Sequence, residues 1–209
     1  MTHTLHREGS NEDLSNDFVL NIVASTGLNV EGAGEKIRHF YRLLLKHNPV
    51  NFGIKRVGQM YQAPSEEIIE NIPGRTHSHN CVLVNKDDLV QFLKEVKEAD
   101  FGLSVIVTGL YDDIKVYCRE AGVKPHTVNL SLGVWGKTEK LPQPKERQIT
   151  TMCGHGMLSV NLVRNMVDKV KHGSVTPWEA AIEVARPCYC GIVNVPKVAT
   201  LLEEMAQEA

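Results

Sequence analysis

Three apolar runs alternate with two amphipathic stretches between residues 81 and 135, and this alternation restricts the fold more than any other feature of the chain. Cys81-Val-Leu-Val84, Leu103-Ser-Val-Ile-Val-Thr108 and Thr127 to Trp135 read as strands. Between the first two, Asp87 to Ala99 sets Leu89, Phe92, Leu93 and Val96 at helical spacing. Between the last two, Asp112 to Ala121 forms a second helix that Gly122 closes. The run at 103–108 predicts burial on both faces. In 127–135, Val128, Leu130, Leu132 and Val134 fall on one side of a strand. The order β-α-β-α-β over 81–135 predicts an α/β fold with a mixed sheet, α+β being the alternative.

Upstream, Phe18 to Ala24 reads as a strand and Ser25 to Gly34 as a glycine-rich loop. Glu35 to His47 reads as a helix stopped by Asn48-Pro49, and Ser65 to Asn71 as a short helix. After Gly136 the texture changes. Pro142, Pro144 and a run of charges mark a linker. Three helical segments follow, at Met157 to Lys171, Pro177 to Ala185 and Pro196 to Ala206. Thr176 and Glu179 make a capping box before the second. The organisation is therefore a mobile tail over 1–16, an α/β body over 17–136, a linker over 137–148 and a helical metal- or cluster-binding region over 149–209. One continuous domain is the alternative.

The 209 residues are 42% hydrophobic and 23% charged, as in ordinary globular proteins. A net charge of −2 leaves no cationic excess to neutralise phosphates, which argues against nucleic-acid binding. Residues 1–16 are polar and lack the apolar core of a signal peptide. No apolar run approaches the roughly 18 residues of a membrane span. These features lead us to expect a cytoplasmic protein without membrane contact. There, clustered cysteines serve as metal ligands or redox groups more often than as disulfides.

Such clusters are present. Met152-Cys153-Gly154-His155-Gly156 gives C-x-H, and Pro187-Cys188-Tyr189-Cys190-Gly191 gives C-x-C. Four soft or borderline donors in two glycine-flanked pairs suit a metal. Cys153, His155, Cys188 and Cys190 are the expected ligands of a zinc ion. Alternatively, Cys153, Cys188 and Cys190 hold an iron–sulfur cluster with His155 or an outside ligand on the remaining iron. Neither pair has zinc-ribbon spacing. Residues two apart in an extended loop face the same way, so Cys188 and Cys190 are expected to point at one centre.

The segment Met152 to Gly156 resembles the M-C-G-H-G segment around a catalytic cysteine of the proline racemase family. The resemblance covers five residues. It implies Cys153 as a thiolate base or nucleophile with His155 beside it.

Arg75, His77 and His79 form a second candidate set, for an anionic substrate or a metal. Gly27, Gly32 and Gly34 precede a helix, but without a Walker lysine or a G-x-G-x-x-G they carry a weak phosphate signal. Two function classes result. One is an enzyme using a zinc or iron–sulfur centre as Lewis acid, or for sulfur or redox chemistry, on a small molecule. The other is a non-catalytic module in which a metal staples the helical tail and the protein acts through a partner protein, as an accessory subunit or electron carrier; a homo-oligomer is compatible with either class.

Overall fold

Along Phe18–Val23 the side chains of Phe18, Leu20 and Ile22 point to one face, while Val19 and Asn21 point to the other. The computed structural model describes residues 5–208 and builds a five-stranded sheet around this strand. Its elements in chain order are α1 (Asn11–Ser15), β1 (Phe18–Val23), α2 (Ala33–Leu44), β2 (Asn51–Ile54), β3 (Gly58–Gln59), α3 (Ser65–Glu70), β4 (Ser78–Leu83), α4 (Lys86–Ala99), β5 (Ser104–Thr108) and α5 (Tyr111–Glu120). The strand order is β3-β2-β4-β1-β5. β4 lies between β1 and β2, so the β1-α2-β2 crossover is split.

Every strand pair is antiparallel. The chain thus mixes helices with a sheet and ends in a helical region, as expected, but the mixed pairing read from 81–135 is corrected. The strand read at 127–135 is absent, because that segment finds no neighbouring strand among the described residues. β5 is a half-exposed edge, not the doubly buried strand its apolar run suggested.

One face of the sheet carries the core. α2 lays down Ile37, Phe40, Tyr41 and Leu44 at i, i+3, i+4 and i+7, and α4 adds Leu89, Phe92 and Leu93. These pack on Phe18, Leu20, Ile22, Phe52, Cys81 and Leu83. Phe40 meets Phe92 edge to face at 5.0 Å between ring centres. Asn85 caps α4 by accepting from the N–H groups of Asp87 and Asp88.

The opposite face is buried as well, yet rich in amides. Asn21 and Asn80 stand opposite each other in the β1–β4 ladder, and the Asn21 amide donates to the Asn80 side-chain oxygen. Beside them Asn51 Nδ2 donates to Gln59 Oε1 at 2.6 Å. A short segment, Tyr189–Ile192, belongs to this same compact unit. It comes so close to β2 that a Cβ on Gly53 would lie 2.7 Å from the Tyr189 carbonyl oxygen.

The second unit comprises residues 5–10, 128–188 and 193–208. Its helices are α6 (Pro144–Thr150), α7 (Val160–Lys171), α8 (Pro177–Ala185) and α9 (Val195–Glu208). α8 offers the small side chains Ala180, Ala181 and Ala185, which allow close helix packing, and it lies on α9. α7 buries Val163, Met166 and Val167 against these helices. Within the stretch read as a linker, Glu146 is only 4% exposed and accepts from Arg164 Nε and Nη2 at 2.6 and 3.1 Å. That fork and the Gln143 N–H hold its carboxyl below the usual range against the pull of burial. In the stretch read as a tail, Glu8 takes a 2.7 Å bond from Arg147 Nε, and its own N–H donates to Thr151 Oγ1 at 3.0 Å.

The Thr176–Glu179 capping box is present. Thr176 Oγ1 accepts from the Glu179 N–H at 3.2 Å, and Glu179 Oε2 accepts from the Thr176 N–H at 2.8 Å. We expect Thr176→Ala to cost about 1 kcal/mol in urea unfolding. Thr176→Asn should recover most of that loss.

Candidate metal centre

Cys153 and Gly156 bracket a tight turn closed by a 2.9 Å bond from the Gly156 N–H to the Cys153 carbonyl. Gly156 takes φ +66°, a left-handed conformation that glycine adopts without strain. The turn folds the backbone back over its own cysteine. The N–H groups of His155 and Met157 both bond to the Cys153 sulfur. Met152 and Leu158 anchor the turn on either side in the helical core.

Cys188 is held by a different device. Its N–H donates to the Ala185 carbonyl at 2.9 Å, continuing the last turn of α8. The two thiols thus arrive from opposite ends of an α7–α8 hairpin and hydrogen bond to each other. Both are reduced and almost fully buried.

The electrostatics of the pair pull in two directions. The hydrogen bond with the Cys188 thiol, then burial, then the repulsion between neighbouring thiolates push Cys153 far above the ordinary thiol range. The two backbone N–H groups act the other way and favour negative charge on sulfur. The first direction outweighs the second, so Cys153 is held as a thiol.

His155 is exposed in the same turn. Cys190 belongs to the sheet unit, where its charge bears on the buried Tyr41. The expectation that Cys188 and Cys190 share one direction assumed an extended loop, whereas the Cys188 N–H is still engaged by α8. Among the described residues, no three His, Cys, Asp or Glu side chains come together as a metal-holding group.

The second candidate set is dispersed within the sheet unit. Arg75 is paired with Glu31 at 2.7 Å. His77 is exposed, and its Nδ1 lies 3.4 Å from Thr26 Oγ1. His79 is buried, with Thr76 Oγ1 at 2.8 Å from its Nε2. Burial lowers the His79 pKa to about 4, so it is neutral at pH 7.

Of the three glycines read before the helix, Gly34 is spent on packing, while a Cβ on Gly27 or Gly32 would meet open space. The Gly34 N–H bonds the Gly74 carbonyl at 3.0 Å, and a Cβ on Gly34 would lie 2.8 Å from the Gly74 Cα. Sequence reasoning missed the Asn21–Asn80 pair, whose only signal was an asparagine interrupting an apolar strand. A groove of ≈ 500 Å³ opens in the helical unit between α6, α7 and the end of α9. Among its lining residues, Lys145 pairs with Glu204 and Glu208, and Arg164 with Glu146.

No protein-family model matches the chain, and no curated protein or solved structure matches it either. No helix among the described residues is long and apolar enough to cross a membrane.

Proposed function

We propose that Cys153 and Cys188 are the thiolate core of a zinc or iron–sulfur centre in an enzyme acting on a small molecule. The observation that carries this reading is the contact between two buried thiols from distant parts of the chain, one of them already receiving two backbone N–H bonds. Such N–H groups supply partial positive charge to a thiolate and orient a sulfur ligand. A soft divalent cation bound by both sulfurs takes the place of thiol protons and offsets the repulsion between two neighbouring thiolates. His155, exposed two residues beyond Cys153, is available as a further ligand or as a proton carrier for substrate.

The test is metal and sulfide analysis of protein prepared without oxygen. The expected result is about one equivalent of zinc, or iron with matching acid-labile sulfide, per chain. Cys153→Ser and Cys188→Ser should each lose at least about nine-tenths of it, and retention should fall on acidification as protons compete for sulfur. Absorption in the visible range separates a cluster from zinc. Wild-type protein that stays metal-free after reconstitution with zinc, and with iron plus sulfide, refutes the proposal.

A further inference from the structure

Residues 127–135 present an unusual combination. Leu130, Leu132 and Trp135 are 64%, 84% and 82% exposed, and Val128 and Val134 are about half exposed. The hydrogen bonds of this segment among the described residues are all local: Gly133 N–H to Ser131 Oγ at 3.3 Å, Trp135 Nε1 to the Leu132 carbonyl at 3.0 Å, and His126 Nδ1 with Thr127 Oγ1 at 2.8 Å. Its backbone therefore enters no ladder. A run of exposed aliphatic side chains on an unpaired backbone is costly to leave in water and commonly marks an interaction site.

The same chain offers a place for such a strand. β5 ends the sheet, pairing with β1 on one side and, among the described residues, with no strand on the other. Val105 and Val107 of β5 are only partly buried where they pack against the core. The helix that follows, α5, leaves Tyr111 48% and Val116 40% exposed. An open edge next to exposed apolar side chains is a template for strand addition.

The lengths and faces of the two segments correspond. Gly133 takes φ +89°, which ends any regular strand and leaves Thr127–Leu132 as the pairing unit. That is one residue longer than Ser104–Thr108. In it Val128, Leu130 and Leu132 fall on one side and Asn129 and Ser131 on the other. β5 alternates likewise, with Val105 and Val107 toward the core and Ser104 and Ile106 away. The apolar sides therefore extend one face.

We infer that the occupant of the β5 edge is Thr127–Leu132 of a second copy of this chain, exchanged reciprocally in a two-fold dimer. Donor segment and acceptor edge occur in one sequence, hence at equal stoichiometry. Reciprocal exchange also closes the assembly, so neither copy keeps an open edge at β5. Each sheet becomes six-stranded, and the aliphatic side chains of 128–132 leave water.

Light scattering coupled to size exclusion, over about 5–200 µM, gives the first reading and covers dissociation constants in the micromolar range. The expected mass is twice the 23.3 kDa of the chain. Hydrogen exchange should show protection of the amides of 104–108 and 127–132 that is lost together on dilution. The Leu130→Asp, Leu132→Asp double variant should be monomeric with an unchanged far-UV spectrum. A wild-type monomer throughout the range overturns the inference. So does a dimer in which 104–108 gains no protection, whatever the double variant does.

Discussion

Gly191→Ala is expected to destabilise the sheet unit by about 3 kcal/mol, the sum of two costs at one position. Gly191 takes φ +67°, where an L-residue pays about 1–2 kcal/mol. A Cβ there would also run into the backbone of Phe52 and Gly53 on β2. Neither is a flexible side-chain end, so the strand or the 189–192 segment must shift, as in an overpacked core. Gly156→Ala is the matching control. It has φ +66°, but open space where the Cβ would go. Unfolding free energies from urea titration should therefore fall by about 1 kcal/mol for Gly156→Ala and by about three times that for Gly191→Ala. Equal losses would show that close approach to β2 contributes nothing. The glycine after Cys190 thus serves packing against the sheet.

Acidification should weaken the sheet unit through His79. Its pKa is lowered to about 4 in the folded chain by burial, against an ordinary 6.5. Between those values the unfolded chain binds a proton that the folded chain refuses, so stability is lost as pH falls through that window and recovered as it rises. The full effect is about 3 kcal/mol, of which about 2 kcal/mol is gone by pH 5, where carboxylates are still ionised. His79→Gln, which keeps a polar side chain near Thr76 without titrating, should flatten the urea midpoint between pH 7 and 5. An unchanged slope in that variant would remove His79 as the cause.

Local signals were the ones that could be read in advance. The Thr176–Glu179 box engages N–H groups three residues away, so its residue types alone identify it. Strand pairing is different. β1 meets β4 across some sixty residues of chain, with Phe18 opposite Leu83 and Val23 opposite Ser78. Periodicity reports which face of a strand is apolar, not which strand lies beside it or in which direction. For the same reason Thr127 to Trp135 shows a strand's alternation without a ladder.

The candidate site was legible in part. Cys153 and Cys188 do meet, across thirty-five residues. What escaped prediction was the different setting of Cys188 and Cys190, because the end of α8 runs on through the proline to engage the Cys188 N–H. The role of Gly191 escaped as well, since its partner is the backbone of a strand far away in sequence.

The short 189–192 segment also has a consequence for the order in which this protein is made. The chain leaves the sheet unit after Thr127, builds most of the helical unit, returns for four residues and departs again at Val193. A ribosome that has released all five strands has therefore not yet supplied the piece that lies against Gly53. Completion of the first unit waits for residue 192, by which time α6, α7 and α8 have emerged. No single cut can yield both units whole, and a fragment ending at Thr127 would expose β2 where Gly191 normally lies.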